Sequence, residues 1–161
     1  MKIAIYPGTF DPITLGHVDV VQRGLKLFDG IIIAIAASPK KDPMFDVQTR
    51  LDMVNATFSG ESRIQVLNFD GLLVKLAQQH QAIAILRGLR AASDFEYEFQ
   101  LAAMNRKLDA DIESVFVMAR EEYTFVSSSF IREISSMGGD VDALVPEVVR
   151  GYLPQYQGEK T

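Results

Sequence analysis

Four short stretches of the chain gather residue types that handle phosphate. The first is Gly8-Thr9-Phe10-Asp11-Pro12-Ile13-Thr14-Leu15-Gly16-His17, a loop shaped by proline and glycine that runs into a helix. Thr14 has the type and place of an N-cap, which sets His17 in the first helical turn. Free amides and the helix dipole favour an anion there, and a nucleotide phosphate is the natural candidate. Gly16 carries no side chain, so a ligand can come close to the backbone. The second stretch holds Lys40 and Lys41 between Pro39 and Pro43. The third is Arg87-Gly88-Leu89-Arg90, with two guanidinium groups of the kind that grip phosphate as a fork. The fourth, Ser127-Ser128-Ser129, opens a helix with hydroxyls and free amides together.

Each stretch has a plainer reading. His17 could simply cap or pack a helix start. The two lysines could be a solvated pair. Arg87 and Arg90 could form salt bridges to Asp94 or Glu98, a reading ranked lower because Arg87 follows directly on a buried strand. The serines could be one N-cap with two spare hydroxyls. Taken singly, none of these alternatives is closed. His80, the other histidine, falls at a helix end and reads as a C-terminal capping side chain.

Composition narrows the chemistry. The chain has 161 residues, the size of one ordinary domain, and a net charge of −5. An acidic chain lacks the basic face that grips bulk nucleic acid, but a few local cations suffice for a small anion. Cysteine is absent, so disulfides and thiolate metal sites are excluded. No apolar run approaches the roughly 20 residues needed to span a bilayer. The first residues do not resemble a signal peptide, and a cytoplasmic protein without membrane or nucleic-acid partners is expected. Neither G-x-x-x-x-G-K-[ST] nor G-x-G-x-x-G occurs, which disfavours the two best-known phosphate loops.

Strand-like and helix-like segments alternate and must position these stretches. Strands are expected at 2–6, 31–36, 63–67, 82–86 and 114–118, and helices at 16–28, 46–58, 71–80, 93–108 and 127–136. Shorter helical pieces follow near 141–144 and 147–152. The run Ile31-Ile32-Ile33-Ala34-Ile35-Ala36 marks a strand buried on both faces. In the helix over 93–108, Asp94, Tyr97, Glu98 and Leu101 share one face. Phe95, Phe99 and Ala102 share another, read as core. Such alternation predicts an α/β fold: a Rossmann-like doubly wound sheet of five parallel strands with helices on both faces. Residues 1–161 are expected to form a single domain, with a polar tail from about residue 155. Ligands in such folds bind beyond the carboxyl ends of the strands, and all four stretches lie there.

The motifs also carry a resemblance. Gly8-Thr9-Phe10-Asp11-Pro12 followed by Thr14-Leu15-Gly16-His17 resembles the H/T-x-G-H signature of the nucleotidylyltransferase superfamily. Ser127-Ser128-Ser129 with Arg132 resembles its second motif, with Val126 in place of isoleucine. With threonine at position 14, His17 would act alone. The ordered set, above all Arg87-Gly88-Leu89-Arg90 followed by Asp94-Phe95-Glu96-Tyr97-Glu98, is similar to the bacterial phosphopantetheine adenylyltransferase family over residues 1 to about 153.

That resemblance implies transfer of AMP from ATP to 4'-phosphopantetheine, a step of coenzyme A biosynthesis. Catalysis would fall to His17 and Lys41. Thr9, Lys41, Leu73 and Arg87 would contact phosphopantetheine. Thr9, Phe10, His17, Gly88, Leu89, Arg90, Glu98, Tyr123, Thr124, Phe125, Val126, Ser127, Ser128 and Ser129 would contact ATP. Mg2+ would bridge the phosphates of ATP, with no metal ligands from the protein, and the chain would form a homohexamer in the cytoplasm. The acceptor phosphate is already a nucleophile, so the reaction would be one in-line displacement. A nucleotide sensor and an acyl-adenylate ligase remain as other classes.

Overall fold

The fold, described from a computed structural model, covers residues 1–37 and 42–154. Lys40 and Lys41 therefore lie outside the described residues, as does the tail beyond 154. The strands are β1 (Ile3–Gly8), β2 (Gly30–Ala36), β3 (Ile64–Phe69), β4 (Ala84–Leu89) and β5 (Glu113–Met118). They pair in parallel in the order β3-β2-β1-β4-β5. The helices are α1 (Leu15–Gly24), α2 (Val47–Thr57), α3 (Leu73–Gln79), α4 (Ala92–Leu108), α5 (Ser128–Ser136) and α6 (Glu147–Arg150). The expected five-stranded Rossmann-like sheet is present.

Alternation along each strand divides the core between the two faces. Ala4 and Tyr6 with Ile31, Ile33 and Ile35 meet α1, α2 and α5 through Val20, Val21, Met53, Val54 and Ile131. Ile5, Ile32, Ala34 and Ile85 meet α3 through Val74 and Ala77 on the other face. Both faces of β2 are thus covered, as its β-branched run requires. No helix among the described residues is long and apolar enough to cross a membrane.

Three sequence expectations need correction. The first helix stops at Gly24 rather than residue 28. A Cβ at Gly24 would lie 2.6 Å from Leu86 Cδ2 and 2.7 Å from Ile31 Cδ1, so the chain packs flush on the sheet and turns away. Strand β4 extends through Leu89 because its ladder with β5 continues to Leu89↔Met118. Arg87, Gly88 and Leu89 therefore belong to a strand, not to a loop after one. Finally, Phe95 and Phe99 are not core: they are 52% and 60% exposed. Among the described side chains of α4, only Glu98 is buried. Tyr97, Met104 and Leu108 are exposed as well. Periodicity correctly identified apolar faces on this helix but could not say that this chain leaves them uncovered.

Candidate active site

A cleft opens where the strand order reverses between β1 and β4. The β1–β2 ladder runs to Gly8↔Ile35 and the β4–β5 ladder to Leu89↔Met118, but β1–β4 pairing stops at Ile5↔Ile85. The next β1 residue facing β4 is Pro7, which has no N–H to offer. The strands part there, and Arg87 Nη1 reaches into the gap to donate to the Pro7 carbonyl at 3.3 Å. The resulting cavity is about 750 Å³. Ligands bind at such switch points in open parallel sheets.

His17 stands at the head of α1 with its ring held from two sides. The Thr14 amide donates to His17 Nδ1 at 3.0 Å. In return, the His17 amide donates to Thr14 Oγ1 at 3.4 Å, which makes Thr14 the expected N-cap. The Phe10 ring lies beneath the imidazole, with centroids 4.9 Å apart. Phe10 adopts a left-handed φ of 50°, an uncommon conformation for a bulky residue. A Cβ at Gly8 would fall 2.9 Å from Phe10 Cε2, so glycine there leaves room for the ring. Burial lowers the His17 pKa to about 4, and the Arg90 and Arg87 cations push the same way. The imidazole is therefore neutral at pH 7. Because Nδ1 accepts from the Thr14 backbone, the proton resides on Nε2, which is left as a donor.

The arginines of the third stretch have partners. Arg87 makes a bidentate pair with Glu98, 2.7 Å from Nε and 2.5 Å from Nη2. Burial works against the Arg87 cation, and the Glu98 carboxylate outweighs it. Arg90 lies 3.5 Å from the Asp94 carboxylate and donates to the Val126 carbonyl at 3.1 Å. The salt bridges ranked lower from sequence thus do form, with both arginines still lining the cavity.

At the start of α5 the serine hydroxyls serve the fold. Ser127 Oγ caps the helix by accepting from the Phe130 amide. Ser128 Oγ donates to the Pro12 carbonyl at 2.7 Å. Ser129 Oγ accepts from Arg132, whose Nη1 donates to the Asp11 carbonyl at 2.7 Å. What the helix start can offer an anion is then its first amides, which have no partner within the helix.

Two buried charged residues organise the opposite rim. The Asp11 carboxylate accepts from the amides of Met44 and Phe45 at 2.8 and 2.9 Å. Arg50, only 1% exposed, donates to the carbonyls of Phe45, Thr9 and Ala36 at 3.0, 2.8 and 2.9 Å. The sequence gives Asp11 no role beyond its place in the first motif and does not single out Arg50. A signal did exist: Arg50 shares the buried face of α2 with Met53 and Val54, where a cation is out of place unless it has partners.

Of the residues predicted from sequence, Thr9, Phe10, His17, Arg87, Gly88, Arg90, Glu98, Val126, Ser127, Ser128 and Ser129 line this one cavity. Leu89, Tyr123, Thr124 and Phe125 do not. Nor does Leu73, whose side chain packs against the core around Val74 and Ala77. His80 occupies the C-cap position of α3. Arg132 and Tyr6 line the cavity without having been assigned to it. Burial raises the Tyr6 pKa, so the phenol stays neutral. Taken together, the cavity offers a neutral imidazole donor, guanidinium groups and helix amides, a set suited to an anion with several phosphates.

Comparison with known proteins agrees. The cytidylyltransferase-like family matches residues 5–134. The chain is 52% identical over 156 residues to the phosphopantetheine adenylyltransferase of Thioalkalivibrio sulfidiphilus, covering 97% of this chain and 98% of the relative. It is 48% identical over 157 residues to the phosphopantetheine adenylyltransferase of Moorella thermoacetica, again covering 97% and 98%. Among solved structures, a provisionally assigned nicotinate-nucleotide adenylyltransferase of Vibrio parahaemolyticus superposes with a TM-score of 0.69. It covers 93% of this chain and 91% of its own at 22% identity, a likeness of fold.

Proposed function

The chain belongs to the phosphopantetheine adenylyltransferase family, and on that premise we propose that it transfers AMP from ATP to 4'-phosphopantetheine, yielding dephospho-CoA and pyrophosphate. The observation that carries this reading is the neutral His17, with Nε2 left to donate, in a switch-point cavity lined by Arg87, Arg90 and Arg132. An acceptor phosphate oxygen attacks the α-phosphorus, the bond from that phosphorus to the bridging oxygen breaks, and pyrophosphate departs. No general base is needed, because the attacking phosphate is already ionised. Catalysis is positioning and charge stabilisation. His17 Nε2–H donates to an α-phosphate oxygen as charge builds. Arg90 and the first amides of α5 hold the leaving phosphates, while Thr9 and Arg87 hold the acceptor. Lys41 serves beside His17 on the strength of the resemblance alone.

Magnesium, carried by ATP rather than by protein ligands, would supply charge neutralisation for the leaving group. Of the carboxylates on the cavity wall, Asp11 and Asp94 accept from backbone amides and Glu98 pairs with Arg87. The reading takes residues 1–161 as one nucleotidylyltransferase domain, placed in the cytoplasm with the ATP pool. It also takes the assembly as a homohexamer. The exposed Phe95, Phe99, Met104 and Leu108 on α4 support self-association, since a surface patch of this kind marks an interaction site.

Pyrophosphate release assayed with and without phosphopantetheine tests the reaction. Release that depends on phosphopantetheine is expected. Release driven by a carboxylate instead would make the chain an acyl-adenylate ligase, and ATP binding without turnover would make it a sensor.

A further inference from the structure

The β1–β2 ladder ends at Gly8↔Ile35, so the next rung would join Thr9 to Ala36. The strands do not make that rung. Instead, Arg50 Nη1 sits between their carbonyls, 2.8 Å from Thr9 and 2.9 Å from Ala36. Its Nε donates back to Phe45, just before the N-cap of α2, at 3.0 Å. One guanidinium therefore joins the crest of β1, the crest of β2 and the entry to α2. No carboxylate lies within ion-pair distance of Arg50 among the described residues. Burying a charge is costly without partners, and an apolar residue would fill the same space on α2 with no such cost. The planar fork is what fits here: its Nε and Nη1 donate in fixed directions from two separated nitrogens, whereas a lysine ammonium would offer its donors from a single point.

The location says what is being held. Thr9 lies on the cavity, and Ala36 and Phe45 flank the segment that carries Lys40 and Lys41. Asp11 secures the same end through the amides of Met44 and Phe45. Arg90 and the first α5 amides, assigned to the leaving phosphates of ATP, lie across the cleft, just beyond β4 and at the start of α5. We propose that Arg50 is a positioning residue for the acceptor half of the site: it fixes the spacing of the β1 and β2 crests, and with it the phosphate seat for phosphopantetheine. This rests on the adenylyl-transfer reading above. Arg50 touches neither substrate. It acts through the carbonyls of Thr9, Ala36 and Phe45.

The test compares Arg50→Lys and Arg50→Met with wild type in the pyrophosphate assay, with acceptor binding measured separately by calorimetry and folding by thermal melting. Arg50→Met should lose roughly 10²-fold in kcat/KM for phosphopantetheine, the scale expected when a reactant seat shifts by about 1 Å. The KM for ATP should change much less, since Arg90 and the α5 amides hold its phosphates and only Thr9 is shared. Arg50→Lys keeps the charge without the fork and should fall between the two. Calorimetry should show the same loss of acceptor affinity without turnover. Unchanged acceptor binding in folded variants would overturn the proposal. So would equal losses for both ligands, or loss of cooperative melting in both variants, because either would make Arg50 a general support of the fold. A wild-type chain lacking acceptor-dependent release would instead sink the reaction itself, together with the acceptor assignment that depends on it.

Discussion

Helices α2 and α4 each aim one buried charged residue at the crest of the sheet, yet they finish their environments differently. On α2 the residue is Arg50, saturated by three backbone carbonyls, and beside it Met53 and Val54 are fully buried. On α4 the residue is Glu98, 7% exposed and paired with one side chain, Arg87. Around it the helix leaves Phe95, Tyr97, Phe99, Met104 and Leu108 exposed. The α2 corner is complete within the chain. The α4 corner is left open: Arg87 faces the cavity and the apolar flanks face solvent in the single chain. A carbonyl cage cannot release its guanidinium without disturbing strand ends. A carboxylate partner can be traded for a phosphate, because both fit the same fork. On the proposed reading, the first corner is architecture and the second exchanges its carboxylate for a phosphate.

Both corners border the cavity that His17 lines, so the largest effect sets the reference for the group proposed to meet the reacting atoms. His17→Ala should fold and lose roughly 10²–10³ in turnover, the usual cost of removing one preorganised donor to developing charge. Near-normal turnover would leave His17 as a cap alone. The pH response has a definite sign. With its folded pKa near 4 and an ordinary value near 6.5, native His17 binds fewer protons than the unfolded chain between those values. Its contribution to stability is complete above about pH 6.5 and is lost as pH falls towards 4. Thermal melts of wild type and His17→Ala across this window should converge as the solution is acidified.

An intermediate effect tests the exchangeable pair. Arg87→Ala should weaken phosphopantetheine by roughly 10- to 100-fold, the scale of a lost charge-assisted hydrogen bond. If Glu98 acts by orienting Arg87, then Glu98→Gln should weaken the same ligand, and the double variant should be little worse than Arg87→Ala. Losses that add in full, or a Glu98→Gln defect confined to ATP, would separate the two residues and break the comparison with Arg50.

The smallest effect on the fold of the single chain is expected at the α4 surface. Phe99→Asp should change monomer stability by no more than about 0.5 kcal/mol, as exposed substitutions usually do. Sedimentation should nevertheless show the assembly reduced to smaller species. By contrast, Met53→Ala on α2 should cost about 2–5 kcal/mol as a core truncation. A Phe99→Asp protein that sediments like wild type would remove the outside partner from this account of α4.

Much of this was legible in the sequence, where the governing interactions are local. The isoleucine run of β2 announced burial on both faces, because side-chain alternation leaves a continuous apolar strand no other stable place. Thr14 and His17 are three residues apart, so their mutual cap follows from helix geometry alone. The strand order and the cleft required the assembled sheet, since Pro7 ends a ladder only once β4 lies beside it. Arg50 was hidden because its carbonyl partners lie 5, 14 and 41 residues away, on segments that meet only when the strands are packed. Phe95 and Phe99 misled for the converse reason. Periodicity reports that a helix face is apolar, while tertiary structure decides whether the same chain or another one covers it.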